Sequence, residues 1–438
     1  MQKVLVLGAG LVSRPLVKYL LDSEFELTVA SRTLSKAEKL VEGHRNGKAV
    51  QLNVKDSDSL KELIKNTDIA ISLLPYVFHV KVARICIEFG KDMVTTSYIS
   101  DKMQALDEEA KKAGILILNE IGVDPGIDHM SAMRIIDNVK SRGGEVVSFK
   151  SYCGGLPAPE ANDNPFGYKF SWSPKGVLMA GKNNAKYLEN GEVVEVDGED
   201  LFEHHWPLKF EDAPEKFENY PNRNSLPYIE TYGLENVETM FRGTIRNVGW
   251  CDALNSIVKL DLLEDEERSD LGDLTYKELI QKQIGTERED IKAAVKDYLG
   301  DATTPRAMDM LEWLGLFSDK PVPDENTLLD VMTALFLEKM EYQENERDMI
   351  VLYHDFLAEL PAGNKKITST LIDYGIPGGD SSMARTVSLP AAIATKLILL
   401  GKINEKGVLA PVIPEIYNPV LDELEKLDIS CREKEWDL

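Results

Sequence analysis

The chain has 438 residues, too many for one ordinary core, and 43% apolar against 28% charged residues is enough for a packed interior. With 74 acidic and 50 basic side chains its formal charge is −24, a field that repels nucleic acid and anionic lipid surfaces. An anionic substrate therefore needs a local pocket of Arg or Lys. The four cysteines and six histidines are scattered without CxxC or metal-ligand spacing, so no metal is expected. No apolar run approaches the ~20 residues of a membrane span. Sparse cysteines fit a reducing cytoplasm, and a strand beginning by Val4 is expected to leave no room for a leader peptide.

The first third alternates short apolar runs with amphipathic segments. The runs Val4–Leu7, Leu27–Ser31, Ala49–Val54, Ile69–Leu74, Asp92–Thr96 and Ile115–Asn119 are β-branched and apolar on consecutive positions, as strands covered on both faces are. Helices are expected at Leu34–Glu42, Ser59–Asn66, His79–Phe89 and Lys102–Ala113. Strand and helix in repeated alternation predict a doubly wound parallel sheet. Pro125 and Gly126 then open a helix from Ile127 to about Val139, and a strand follows near Val146–Tyr152. The Gly-, Pro- and Asn-dense stretch Gly154–Tyr168 reads as structured loop. Amphipathic helices are expected at Tyr276–Ile284, Asp290–Leu299, Arg306–Leu316 and Leu328–Met340. A hairpin is expected across Pro361–Asn364, between Met349–Leu357 and Ile367–Tyr374, and a last helix, Pro390–Leu400, with its proline at the N-terminus.

The strongest local signal is Val4-Leu-Val-Leu-Gly8-Ala-Gly10-Leu11-Val12-Ser13. Glycines at a strand end permit a tight turn and close backbone approach to a pyrophosphate, which the next helix N-terminus favours electrostatically. Ser13 stands where a third glycine is usual. At the end of the second strand, Ser31-Arg32-Thr33 offers hydroxyls and a guanidinium and no carboxylate. That set suits a ribose 2′-phosphate, hence NADP, rather than the bare 2′-hydroxyl of NAD.

Further motifs carry a resemblance. Ser72-Leu-Leu-Pro75-Tyr76, Val94-Thr-Thr96-Ser97-Tyr98, Gly122-Val123-Asp124-Pro125-Gly126-Ile-Asp128-His129 and Tyr152-Cys153-Gly-Gly155-Leu-Pro157 resemble the glutamate-forming saccharopine dehydrogenases, also called saccharopine reductases. So do Asn164–Ser173, Tyr220-Pro-Asn222-Arg223 and Arg242-Gly243-Thr244-Ile245-Arg246, and the likeness runs end to end. It implies an α/β protein in three parts: a variant Rossmann domain over 1–124 joined by 389–438, an α/β substrate and dimerisation domain over 125–261 and 341–388, and a helical subdomain over 262–340. The implied reaction is the NADP(H)-linked interconversion of saccharopine with glutamate and 2-aminoadipate 6-semialdehyde in lysine metabolism, by a cytoplasmic homodimer.

By the same resemblance, the cofactor is held by Gly8, Gly10, Leu11 and Val12, by Ser31, Arg32 and Thr33, and by Asn53, Val54, Leu74, Thr96 and Ser97. Val123, Asp124, Pro125 and Ser173 complete that set; relatives often have Asp where Asn53 stands. Saccharopine is implied to contact Ser97, Tyr98, Asp124, Arg223, Gly243, Thr244, Ile245 and Arg246, with Tyr98 and Asp124 nearest the chemistry. The residue chemistry agrees. Saccharopine carries three carboxylates, which Arg223 and Arg246 suit as bidentate partners, and Asp124 suits its ammonium group while also serving as a cap for a helix beginning at Pro125. Tyr98 orients substrate or relays a proton, or else belongs to the core. Cys153 reads as a packing residue and His129 as a structural histidine, and no general acid–base residue stands out. Two other readings remain at this level: an imine-reducing enzyme of polyamine metabolism, of the carboxynorspermidine dehydrogenase kind, and a non-enzymatic NADP sensor.

Overall fold

The computed structural model describes residues 1–211 and 213–438, which divide into two compact units, Met1–Glu145 with Glu359–Leu438, and Val146–Ala358. In the first unit the chain runs β1 (Lys3–Leu7), α1 (Ser13–Asp22), β2 (Glu26–Ser31), α2 (Leu34–Val41), β3 (Gly47–Gln51), α3 (Ser57–Lys65) and β4 (Ile69–Ser72). It continues through α4 (His79–Phe89), β5 (Asp92–Thr95), α5 (Asp101–Gln104), α6 (Asp107–Ala113), β6 (Leu116–Leu118) and α7 (Ile127–Ser141). The strands form a parallel sheet in the order β3-β2-β1-β4-β5-β6, which is the doubly wound arrangement expected. Val4, Leu5, Val6 and Leu7 of β1 are each at most 1% exposed, so both faces of the central strand are covered. Burial of each such side chain is worth roughly 1.5–3 kcal/mol. The order reverses between β1 and β4, and a crevice at that switch point, beyond the strands' carboxyl ends, is where such sheets bind nucleotides.

The segment read as a single helix over Lys102–Ala113 is two, because Leu106 N closes on Met103 O only three residues back and interrupts the helical ladder. Met103 and Leu106 both join the sheet's hydrophobic core.

In the second unit, β7 (Glu145–Pro157) extends five residues beyond the expected strand end at Tyr152 and takes in Gly154 and Gly155. Sequence reads this glycine pair as loop; in the fold it serves close strand packing. A Cβ on Gly154 would stand 2.6 Å from the Ile245 carbonyl oxygen. Next come α8 (Pro174–Ala180), β8 (Ala185–Glu189), β9 (Glu192–Val196), β10 (Trp206–Leu208), β11 (Phe217–Pro221), α9 (Pro227–Thr231), β12 (Thr239–Asn247) and α10 (Trp250–Lys259). Four helices follow, α11 (Tyr276–Ile284), α12 (Ile291–Leu299), α13 (Pro305–Leu314) and α14 (Leu328–Lys339), then β13 (Asp348–Leu360). Each of the four opens on a side-chain cap, from Thr275, Asp290, Thr304 and Thr327 respectively, which explains why their starts are legible in sequence. The sheet of this unit runs β10-β11-β12-β7-β13, with β7 and β12 parallel and β11 antiparallel to β12.

The chain returns to the first unit with β14 (Gly363–Tyr374), α15 (Ser382–Leu399), β15 (Gly407–Leu409), α16 (Pro414–Glu425) and β16 (Arg432–Asp437). β15 adds a seventh parallel strand beside β6, and β16 pairs antiparallel with β14. α15 corrects the expectation of a helix opened by Pro390. It starts two turns earlier, at Ser382, where the Ser381 hydroxyl caps Ala384 N, and Pro390 lies inside it. Thr386 and Ser388 return their hydroxyl protons to carbonyls one turn back, so these polar side chains are satisfied within the helix.

Candidate active site

The loop after β1 is built by Gly8, Gly10 and Ser13. Gly8 adopts φ +116°, and a Cβ there would come 2.8 Å from the Leu73 carbonyl oxygen. Around Gly10 the position of a missing side chain is open, with no heavy atom within 4 Å. That cradle fits the close approach of a pyrophosphate. Ser13 is fully buried; its Oγ accepts from Gly10 N at 3.0 Å and donates to Gly8 O at 3.4 Å. The departure from a third glycine thus ties the loop to the helix. Val12, at the N-cap of α1, supplies no side-chain acceptor to the helix, while Leu11 is 74% exposed. The uncapped amides suit an anionic ligand.

At the end of β2, Ser31 Oγ accepts from Thr33 N at 3.3 Å, and Gln51 Nε2 donates to Arg32 O at 3.1 Å. The Arg32 and Thr33 side chains are exposed beside that fixed backbone. Asn53 folds back on its own turn, its Oδ1 accepting from Lys55 N at 3.1 Å. Val54 and Leu74 pack on the core.

The ends of β5 and β6 bring the next residues together. Tyr98 donates its phenol proton to Asp124 Oδ1 at 2.9 Å. Thr96 is half-buried, its Cβ close against Gly122, and Val123 is buried. Asp124–Pro125 is a cis peptide bond in a turn where Gly122 N donates to Pro125 O at 2.8 Å. Only glycine fits at 126, where φ is +151° and a Cβ would collide with the Gly122 backbone. α7 starts at Ile127 with Gly126 as its N-cap. Asp124 is therefore not that helix's cap, and the further reading of its carboxylate as a capping group is overturned: the turn places it two residues too early.

Three residues here were not singled out from sequence as part of a site. Glu120, with φ +56°, accepts from Ile99 N at 2.8 Å and meets His129 Nε2 at 2.9 Å, so it braces the Ser97–Ile99 strip against α7. His129 is fully buried, as a structural histidine is. His79, the first residue of α4, lies between Ser72 Oγ (2.9 Å from Nδ1) and Ser97 Oγ (2.9 Å from Nε2), with Thr95 Oγ1 at 3.3 Å. Burial pushes its pKa down to about 4, so the imidazole is neutral at physiological pH.

In the second unit the two expected carboxylate-binding arginines differ in kind. Arg223 is exposed and held at φ +54° in the turn after β11, its carbonyl accepting from Lys186 N at 2.9 Å. Arg246, on β12, is 4% exposed and lies against the rings of Tyr168 (5.0 Å), Trp250 (5.4 Å) and Tyr220 (5.8 Å). Its Nη1 donates to the Ile245 carbonyl at 2.8 Å, while its Nε and the nearby Trp250 Nε1 are buried without a hydrogen-bond partner among the described residues. Buried donors without acceptors are costly and mark a place a ligand would satisfy. Gly243 and Ile245 are buried on the alternate positions of the strand, and Thr244 is half-buried. Ser173 caps α8, accepting from Gly176 N at 3.2 Å. Cys153 is buried beside Gly154, in keeping with a packing role.

A phosphate-cradling loop at the switch point of a seven-stranded parallel sheet, with a cationic second-strand end and a tyrosine–carboxylate pair, defines a Rossmann-type NADP-dependent oxidoreductase. Residues 4–118 match the family model of the saccharopine dehydrogenase NADP-binding domain, and residues 122–429 that of the saccharopine dehydrogenase C-terminal domain. The chain belongs to the saccharopine dehydrogenase family. It is 43% identical to the saccharopine dehydrogenase [NADP(+), L-glutamate-forming] of Schizosaccharomyces pombe, with 99% of each chain covered. It is 42% identical to the bovine mitochondrial alpha-aminoadipic semialdehyde synthase, of which it spans 46%. The apo structure of the L-Glu-forming saccharopine dehydrogenase from Saccharomyces cerevisiae superposes with a TM-score of 0.91 at 40% identity, over the whole of both chains.

Proposed function

We propose that the protein oxidises saccharopine with NADP to glutamate and 2-aminoadipate 6-semialdehyde, and catalyses the reverse. The observation that carries this reading is the buried Arg246 guanidinium. It has aromatic neighbours and an unpartnered Nε, a setting that suits a ligand carboxylate and would be costly to keep empty. A tricarboxylate substrate also accounts for exposed Arg223 in a chain of charge −24. The polyamine-type reading gains no support from such cations, since its substrate has fewer carboxylates.

NADP, when bound, supplies the hydride acceptor for the carbon next to the bridging nitrogen. The chain's residues do the rest. Gly8, Gly10 and Val12 would receive the pyrophosphate, and Arg32 with Ser31 and Thr33 the 2′-phosphate. Asn53, Val54, Leu74, Thr96, Val123, Pro125 and Ser173 would line the rest of the cofactor. Arg246 and Arg223 would fix substrate carboxylates, with the Gly243–Ile245 strip alongside. Asp124 would pair with a substrate ammonium group, and Tyr98, hydrogen-bonded to it, would hold or pass a proton at the phenol oxygen. Once that carbon has given up its hydride and the bridging nitrogen its proton, water would add to the resulting C=N carbon, and breaking of the C–N bond would leave the aldehyde and release the amino group of glutamate.

The division into a cofactor part, a substrate part and a helical part, and the assignment to a cytoplasmic homodimer, belong to the same reading; sedimentation of the purified protein tests the dimer. No helix among the described residues is long and apolar enough to cross a membrane. The function is tested by incubating the protein with saccharopine and NADP, following NADPH and identifying the amino acid released. Glutamate is expected; release of lysine overturns the proposal.

A further inference from the structure

Three hydroxyls surround the His79 imidazole, and their geometry determines where the protons lie. Thr95 donates its hydroxyl proton to the Ser72 carbonyl at 2.9 Å, and its oxygen also receives Ser97 N at 3.4 Å. With its proton committed, Thr95 Oγ1 can meet His79 Nε2 only as an acceptor, so Nε2 carries the ring proton. Nδ1 is then the acceptor, and the group facing it, Ser72 Oγ, is the donor. The one N–H, on Nε2, is shared between two oxygens, and Ser97 Oγ, at 2.9 Å against 3.3 Å for Thr95 Oγ1, is the nearer acceptor. The hydroxyl proton of Ser97 itself is left for another partner. The ring is 4% exposed and its hydrogen-bonded neighbours are hydroxyls, and burial lowers its pKa, so it stays neutral while those hydroxyls select its tautomer.

We propose that His79 is a positioning residue that presents Ser97 as a hydrogen-bond donor to an acceptor oxygen of the bound ligands. Ser97 stands next to Tyr98, whose phenol meets Asp124, so the oriented hydroxyl opens onto the strip that the proposed reaction uses. The inference rests on that reading for the place of Ser97. The acceptor oxygen comes from a substrate carboxylate or from the cofactor's carboxamide.

The test is a cycle of variants with saccharopine and NADP varied separately. Ser97→Ala is expected to lower kcat/KM by about 3- to 10-fold, the size of one oriented neutral hydrogen bond. His79→Asn keeps a polar group facing Ser72 but stops short of Ser97, and is expected to lose the same amount. In His79→Gln the amide reaches the Nε2 position and is expected to recover most of it. Ser97→Ala combined with His79→Asn is expected to be no worse than Ser97→Ala alone. A rise in KM for saccharopine alone assigns the acceptor to the substrate; a rise for NADP alone assigns it to the cofactor. Losses that multiply in the double variant, or Gln no better than Asn at equal melting temperature, overturn the role of His79. An unchanged kcat/KM in Ser97→Ala instead removes Ser97 from the site, a different failure.

Discussion

Glu218 and Arg246 stand directly opposite each other on the antiparallel strands β11 and β12, yet among the described residues no ion pair joins them. Glu218 accepts instead from Gly249 N at 3.1 Å and Cys251 N at 2.7 Å, at the N-terminus of α10. The helix end, carrying partial positive charge, takes the nearest carboxylate. The guanidinium that would have claimed it is left among aromatic rings.

This arrangement predicts separable effects. Arg246→Met removes the charge while keeping volume, so the KM for saccharopine should rise by about 10- to 100-fold, the value of a charge-assisted contact. Removing an unpaired buried charge costs the fold little, and the melting temperature should hold or rise. Glu218→Gln, in contrast, weakens the anchoring of α10 and should lower stability by about 1–2 kcal/mol. Saccharopine titrations and thermal melts of both variants decide this. A KM that is unchanged in Arg246→Met would remove Arg246 from the substrate site.

The Tyr98–Asp124 bond predicts that the two side chains act as one unit. Asp124→Asn leaves α7 intact, because that helix begins at Ile127 beyond any reach of capping from position 124. Its melting temperature should match wild type within a few degrees while kcat/KM falls by at least about 10-fold, as expected for loss of a charged contact. Tyr98→Phe should cost less once Asp124 is already Asn, since residues that share a hydrogen bond are not additive. Steady-state kinetics of the two single variants and the double variant measure the coupling. Fully independent losses would show that the bond has no part in turnover.

Stability below neutral pH carries the signature of His79. Its folded pKa, about 4, lies below the unfolded value of 6.5 because burial disfavours the cation. Above pH 6.5 both states hold it neutral and nothing is lost. Between pH 6.5 and 4 the unfolded chain takes up a proton that the folded one refuses, so stability falls as pH drops, by up to about 3 kcal/mol for this group. Replacing the imidazole with an amide that does not titrate, in His79→Gln, should flatten that part of the curve relative to wild type. Denaturant melts at pH 7, 6, 5 and about 4.5 give the difference directly. Parallel curves for the two proteins would mean that His79 titrates alike in the folded and unfolded chain, with no depression by burial.

The Rossmann strands were legible because a parallel strand covered on both faces must be apolar at consecutive positions, as β1 is. The glycine loop after β1 was legible because its constraints are local. What escaped depends on residues distant in sequence. Gly154 looks like loop until Ile245 is seen to press on it, and Pro390 looks like a helix start until the Ser and Thr hydroxyls of the preceding turns are counted. Arg246 was identifiable as a candidate but not as a buried one, since Tyr168, Tyr220 and Trp250 come from three separate elements or loops. His79 carried no motif of its own, and its partners Ser72, Thr95 and Ser97 meet it only after the parallel strands β4 and β5 and the crossover helix α4 between them have formed.

Cofactor choice gives the most direct test of the site. Ser31 Oγ and Gln51 Nε2 hold the two polar groups of the peptide that joins Arg32 to Thr33, and the Arg32 side chain is exposed at the end of β2. No carboxylate closes that strand, so a bare 2′-hydroxyl finds no strong acceptor there, whereas a 2′-phosphate finds a cation and two hydroxyl side chains. Without Arg32 the phosphate would sit uncompensated in a protein of charge −24. Each charge-assisted contact is worth roughly 1.5–3 kcal/mol, so one or two give NADP an advantage of about 10- to 1,000-fold in kcat/KM over NAD. Arg32→Asp should reverse the order, because a carboxylate accepts from the 2′-hydroxyl and repels the phosphate. Raising the ionic strength should narrow the wild-type preference, since Arg32 is exposed and its charge is screened, and leave the variant's preference for NAD less affected. Initial rates with both cofactors at fixed saccharopine, at two salt concentrations, read all three effects. Equal kcat/KM for NAD and NADP in the wild type would sink the assignment of Arg32, whatever the variant does.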